Sequence, residues 1–362
     1  MLDFPHMKTA FDLQKLLRDV FQPGPDEIVL VMTDVPSETD NPDWQDRRLM
    51  ADEWRDAFGK MGLKTLPLLT YASTGAGNAD LPSEGRLDSL PVKMADVLGS
   101  CTIAVAMTEY SATAPLAAFV KKYAGRLRVA SMPGVLRRME NTALAADYRQ
   151  VAVKVNQLTE RLTRAEGADV EFSTGHKMHF DLRWRSGHGD DGMCGPDKPF
   201  PLINLPSGEA YIVPYEGERP GEPSQTSGDI PVSTNSGMAV LNIKANRIES
   251  IEGGDDSFRQ FLFTDPARRN IAELGLGCND KAVVTGNVLE DEKAGFHWAY
   301  GRSEHLGGVT GPKNFLSPKN VVHRDIVYAA GCPVTIARLT MRYHAGAEEV
   351  IMRNGRYTIF GE

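Results

Sequence analysis

Four side chains that bind divalent cations at neutral pH fall within residues 271–328: Glu273, His297, His323 and Asp325. Each stands beside apolar or small neighbours rather than in a solvated charged run. The tightest unit is His323-Arg324-Asp325 in VVHRDIVY, whose Val, Ile and Tyr content predicts a buried strand. Positions i and i+2 of a strand share a face, so His323 and Asp325 are expected to project together. An ordinary hydrogen-bonded His–Asp pair would have the same spacing. Glu273, in IAELGLG, is flanked by Ile271, Leu274 and Leu276, and a buried carboxylate needs a cation or strong donors. His297 lies among aromatics in AGFHWAYG, where a core histidine with a satisfied hydrogen bond is the bland alternative. Glu209, in INLPSGEAYIVP, sits between a Pro/Gly turn and an apolar run, as a turn-flanking surface glutamate also would.

Together these residues make a set of three carboxylates and two imidazoles. That set suits zinc, cobalt, manganese or iron, whereas calcium favours oxygen ligands alone. Five ligands exceed what one tetrahedral zinc uses. They fit two neighbouring divalent ions sharing a carboxylate, an arrangement that activates a hydroxide for attack on a carbonyl.

Other motifs carry less. His176 and His179 in GHKMHFD stand near Asp181 and are candidates for a substrate pocket, although a polar strand end would look alike. Gly75 and Gly77 in STGAGNAD complete neither GxGxxG nor a P-loop. There is no GxSxG elbow and no HExxH helix, which disfavours serine-hydrolase and zincin mechanisms. Cys101, Cys194, Cys278 and Cys332 form no CxxC pair and read as unpaired thiols of a reducing cytoplasm.

The elements that must position these residues come in two textures. Helical spacing over 8–21, an apolar strand over 27–33 and a helix over 44–61 open the chain. Strands over 64–70, 102–106 and 127–131 and a helix over 111–123 follow. Such alternation predicts an α/β N-terminal domain, residues 1–166, with an open, mainly parallel sheet. Its last helix, over 145–165, carries Val151, Val155, Leu158 and Leu162 on one stripe and bridges to the next domain. Residues 167–362 hold short β-type runs separated by Gly, Pro and Asn, with a helix over 255–263 and another starting near 266–270. They predict an α+β domain of mainly antiparallel strands that carries the metal and the catalysis. The segment Gly217–Ser236 reads as an exposed loop that could act as a lid.

The 362 residues suffice for two cores, with 41% hydrophobic and 24% charged residues in an ordinary soluble balance. A formal net charge of −8 argues against nucleic acid and membrane surfaces as partners. No apolar run approaches the ~20 residues of a membrane span. The start MLDFPHMKT has no basic region leading into an apolar one, so a secretory signal is not expected and the cytoplasm is.

The segments INLPSGEAYIVP, IAELGLGCNDKAVVTGNVLEDEKAGFHWAYGRS and VVHRDIVY resemble motifs of the M29 metallo-aminopeptidases, the aminopeptidase T group. TDVPSETD and ASMPGV in the N-terminal half are similar in outline. The resemblance implies a two-domain homodimer acting on a peptide or small-molecule amide. It also implies two divalent ions (zinc, cobalt or manganese) held by Glu209, Glu273, His297, His323 and Asp325, with Glu273 central to catalysis. That family has a tyrosine after its first ligand histidine, in a pattern like HxAxGRSY. Here Glu304 stands at that place and Tyr300 is close but out of step, so both are candidates for proton transfer. The 2,5-dihydroxypyridine dioxygenases also resemble this chain. They hold one Fe(II) by two histidines and an aspartate, and lack the two glutamates kept here, which favours hydrolysis over oxygen chemistry. A non-catalytic small-molecule binding protein on the same scaffold is the third alternative.

Overall fold

The computed structural model describes residues 11–36 and 41–361. The N-terminal reading of MLDFPHMKT and the end of TDVPSETD lie outside them. The described chain divides into two compact units. The first comprises residues up to Ala152 with Gly192–Ser207 and Asp280–Ala282. The second comprises Val153–Asp191, Gly208–Asn279 and Val283 onward. No described helix is long and apolar enough to cross a membrane.

The first unit is the expected α/β layer. Its sheet runs in the order Leu202–Asn204, Arg128–Ser131, Ile103–Ala106, Ile28–Val35, Leu69–Ala72, Glu84–Leu87, Leu90–Lys93. The first five are parallel, and the last two form an antiparallel hairpin at one edge. Val29–Met32 and Ile103–Ala106 are completely buried, as apolar strands covered on both faces should be. The helix Pro42–Lys60 starts where the Asn41 side chain accepts the amides of Asp43 and Trp44, with proline at the first turn. It buries Trp54 and Phe58, the latter edge-on to Phe21 at 5.7 Å.

The second unit stacks two antiparallel sheets. One has eight strands, in the order 247–253, 237–244, 227–234, 177–181, 165–172, 336–343, 348–353, 356–357. The other has five: His188–Asp190, Glu209–Ile212, Ile271–Gly277, Phe296–Gly301 and His323–Tyr328. Phe296, Trp298 and Tyr328 fill the space between them. Phe172 lies 6.4 Å from Phe296 and 5.1 Å from Tyr328, and Phe180 lies 6.3 Å from Phe296. The Trp298 indole donates to the Tyr328 hydroxyl at 3.0 Å, and that hydroxyl donates to the Pro231 carbonyl at 3.0 Å. Each aromatic contributes about 1.5–3 kcal/mol of burial, and the hydrogen bonds leave no polar end orphaned.

Three expectations change. The 217–236 segment is not all loop, because Ser227–Thr234 is a strand with Ile230 and Val232 buried. Pro231 is tolerated there because pairing with the 177–181 strand stops at Gly228, so its missing N–H costs no ladder bond. The segment near 266–270 is one 3-10 turn, Pro266–Arg269, rather than a helix. His323–Tyr328 is an edge strand, only partly buried along most of its length, rather than a buried one.

Candidate metal centre

Parity along the five-stranded sheet decides which side chains meet. Asp325 pairs with Ala299, which pairs with Glu273; His297 pairs with Gly275; Glu209 pairs with Gly277. Directly paired residues share a face, as do residues two apart on one strand. Glu209, Glu273, His297, His323 and Asp325 therefore project from one side, and the positions between them are Gly275, Gly277, Ala299 and Gly301. These small residues make the room. A Cβ on Gly275 would lie 1.9 Å from His297 Nε2, and one on Gly277 would lie 2.2 Å from the Glu292 carbonyl oxygen.

The donors fall into two triads, Glu209–Glu273–His297 and Glu273–His323–Asp325, each with its ligand atoms within 4.8 Å of one another. Glu273 belongs to both. His297 Nε2 is 3.3 Å from Glu209 Oε2 and 3.6 Å from Glu273 Oε1. His323 Nε2 is 3.0 Å from Glu273 Oε2 and 3.5 Å from Asp325 Oδ1. Both imidazoles are oriented from behind. His297 Nδ1 faces the Gly295 carbonyl at 3.2 Å, and His323 Nδ1 faces the Arg302 carbonyl at 2.7 Å. A carbonyl only accepts, so Nδ1 carries the hydrogen and Nε2 turns a lone pair to the cluster, the arrangement of metal-ligating histidines. His297 Nε2 and Glu209 Oε2 are fully buried and make no hydrogen bond. Buried polar atoms left without a hydrogen bond cost about 1–3 kcal/mol each, a cost that a cation would remove. The donor set, the tautomers and the orphaned atoms fit divalent ions.

The sequence reading missed Lys293, which sits in a helical turn within an otherwise charged-looking run, EDEKAG. Its side chain is fully buried, with Nζ 2.6 Å from Glu209 Oε1, 2.5 Å from Glu292 Oε1 and 3.8 Å from Asp190 Oδ2. Burial works against its charge, but Glu209, Glu292 and Asp190 outweigh it and hold the ammonium well above its ordinary pKa. Glu209, Glu292 and Asp190 thus surround one ammonium, and Glu273 and Asp325 add two more carboxyls to the cluster, an excess of acidic groups over cations.

That excess shifts the ionisation of the groups in the cluster. Burial and Glu209 push the Glu292 carboxyl up to about 8. Burial disfavours the imidazolium of His297, yet Glu273 and Glu209 raise its pKa to about 9. His323 is raised likewise, burial being outweighed by Asp325 and Glu273. Burial opposes ionisation of Glu273, but the two histidines hold it well below the carboxylate range.

Tyr211, two residues beyond Glu209 and paired with Gly275 through the 271–277 strand, lies on the same face. Burial, then Glu273 and Glu209, raise its phenol. His188 stacks on Tyr211 at 5.6 Å, and His305 meets His323 edge-on at 4.9 Å.

The remaining sequence candidates lie elsewhere. Tyr300 is three residues from His297, an odd spacing that puts it on the reverse face against Phe258, Phe261 and Trp298. The Glu304 side chain is 51% exposed and paired with Arg302 at 2.7 Å. His179 and His176 belong to the eight-stranded sheet and its turn. His179 bonds Asp169 at 2.7 Å, and His176 bonds Thr174 at 2.8 Å.

No protein-family model and no curated protein sequence matches the chain. Solved structures do. A 2,5-dihydroxypyridine dioxygenase from Pseudomonas putida KT2440 aligns with a TM-score of 0.63 at 16% identity, over 96% of this chain and 97% of that one. Wild-type AmpT from Thermus thermophilus aligns with a TM-score of 0.58 at 14% identity, over 96% and 98%. These neighbours correspond to the two families that the sequence motifs resemble, and at such identity the likeness is one of fold.

Proposed function

We propose that this chain is a metal-dependent hydrolase of the aminopeptidase type, cleaving an amide in a peptide or small molecule. The observation that carries the reading is the position of Glu273 in both triads, with the orphaned Glu209 Oε2 and His297 Nε2 beside it. Glu209, Glu273 and His297 would hold one ion and Glu273, His323 and Asp325 the other. Bound there, the ions supply Lewis acidity toward a carbonyl and a water acidified toward neutrality. The protein's own groups fix the geometry. The Gly295 and Arg302 carbonyls set the imidazole tautomers, and Lys293 holds Glu209. Tyr211 offers a phenol on the same face, suited to hydrogen-bonding a polar group of the substrate.

A second reading, a mononuclear iron dioxygenase, has one observation in its favour. Lys293 already neutralises one oxygen of Glu209, so a single ion on Glu273, His323 and Asp325 would leave less charge unbalanced. Elemental analysis of protein purified without chelator separates the two, followed by reconstitution and assay on aminoacyl and heteroaromatic amides. About two zinc, manganese or cobalt ions per chain with amide turnover support the hydrolase. One oxygen-sensitive iron with ring cleavage, or no bound metal, overturns it.

A further inference from the structure

The reverse face of the five-stranded sheet, away from the carboxylates, borders an open cavity of about 340 Å³. Arg324 and Ile326 line it from the His323–Tyr328 strand, and Phe258 and Phe261 from the helix Asp256–Thr264. Ser233 and Ser257 bring hydroxyls. Several arginines of this unit are matched by carboxylates, Arg183 by Asp181, Arg185 by Glu216 and Glu218, and Arg302 by Glu304, and others spend their hydrogens on backbone carbonyls, as Arg259 and Arg268 do. Arg324 is exposed and has no ion pair among the described residues. Its guanidinium lies beside the buried phenol of Tyr300, where it works against the upward push of burial on that hydroxyl's pKa. The one carboxylate on the wall, Asp255, accepts the Asn235 amide at 3.1 Å and is engaged there.

An unmatched guanidinium with hydroxyls at one side and aromatic walls at the other is the chemistry of a site for a small organic acid. Arginine binds a carboxylate through two parallel hydrogen bonds, and its planar fork favours that over a point anion. The volume is that of small-ligand pockets, roughly 300–1,000 Å³. We infer that this cavity binds a small carboxylate with an aromatic or apolar body, its acid group on Arg324 and its body between Phe258, Phe261 and Ile326. The site stands apart from the carboxylate cluster and does not depend on what the cluster does.

The test is calorimetric titration of the full chain with benzoate, and with benzamide as the uncharged counterpart. Saturable one-to-one binding of benzoate is expected, weakened about tenfold or more by Arg324→Gln and absent for benzamide at equal concentration. Ser257→Trp, which fills the cavity and leaves Arg324 in place, is expected to abolish binding. Glu273→Gln, which disables the cation cluster on the opposite face, is expected to leave it unchanged. Circular dichroism checks that each variant folds, and if Arg324→Gln does not, Ser257→Trp decides. No benzoate binding by the wild type overturns the assignment. So does full binding by Arg324→Gln or Ser257→Trp, equal binding of benzamide, or loss of benzoate binding in Glu273→Gln.

Discussion

The His297 imidazole lies directly over Gly275, so close that a Cβ there would sit 1.9 Å from Nε2 and 2.3 Å from Cε1. The ring cannot retreat, because it is fully buried and Nδ1 is held by the Gly295 carbonyl. Gly275→Ala should therefore displace His297 while leaving all five ligands in the sequence. Divalent-ion affinity measured by competition with a fluorescent chelator is expected to fall about 10- to 100-fold, as when a ligand loses its orientation. Unchanged affinity would remove His297 from the ligand set.

Glu273 serves both triads, so Glu273→Gln should cost more metal than Glu209→Gln. Elemental analysis is expected to find neither ion retained in the first variant and one in the second. Turnover of the Glu273 variant should drop at least about a thousandfold. Its chelated form should melt below the wild type at pH 7, since His297 and His323, which hold Glu273 ionised, lose that partner.

Lys293 is the internal counterion of that cluster. Lys293→Met should destabilise the chelated protein by about 3–5 kcal/mol, because Glu209 and Glu292 lose the ammonium that lies against both. Adding zinc or manganese should then raise the melting temperature more than in the wild type. Equal metal-induced shifts in the two proteins would show that Lys293 and the ions do not share the same carboxylates.

The antiparallel design and the candidate cluster were legible from sequence because each of its residues stands on an apolar strand next to small residues. The same strands also carry a finer signal. In ELGLG and HWAYG the ligand alternates with glycine or alanine on one face, while Leu274, Leu276, Trp298 and Tyr300 take the other. Tyr300, a candidate from the motif, stands at odd spacing from His297 and thereby falls on the other face. Lys293 was hidden for a different reason. A lysine among Glu290, Asp291 and Glu292 resembles a solvated charge run, and only tertiary structure buries it. The strand Leu202–Asn204, which joins the first unit's sheet from far along the chain, carries no local mark of its partner.

Tyr300→Phe should accordingly leave metal content and kcat/KM within about twofold of wild type, whereas Tyr211→Phe, on the ligand face, should lower kcat/KM about tenfold or more. A large loss in Tyr300→Phe alone would contradict the assignment of faces.

Asp265 ties down the loop leading to the His323 strand. It is buried and accepts the Leu316 amide at 2.7 Å, the Asn320 side chain at 2.9 Å and the Ala267 amide at 3.0 Å. Burial alone would raise its pKa, but these donors outweigh it and hold the carboxyl below its ordinary value. A carboxyl depressed in the folded state contributes stability above its unfolded pKa of about 4, and this stability is lost as pH falls through the folded value. Urea unfolding should show Asp265→Ala less stable by about 1–3 kcal/mol at pH 7, with the gap closing below about pH 4. A gap that does not change with pH would mean the carboxylate charge is not what anchors the loop.

The strand His323–Tyr328 faces two chambers at once, odd-numbered residues toward the acidic cluster and even-numbered ones toward the aromatic layer and the Arg324 cavity. Sliding it by a single step would bring a guanidinium in among the carboxylates and drive His323 and Asp325 into the hydrocarbon interior. Point substitutions along this strand should thus be tolerated one chamber at a time, while inserting or deleting one residue would ruin both together.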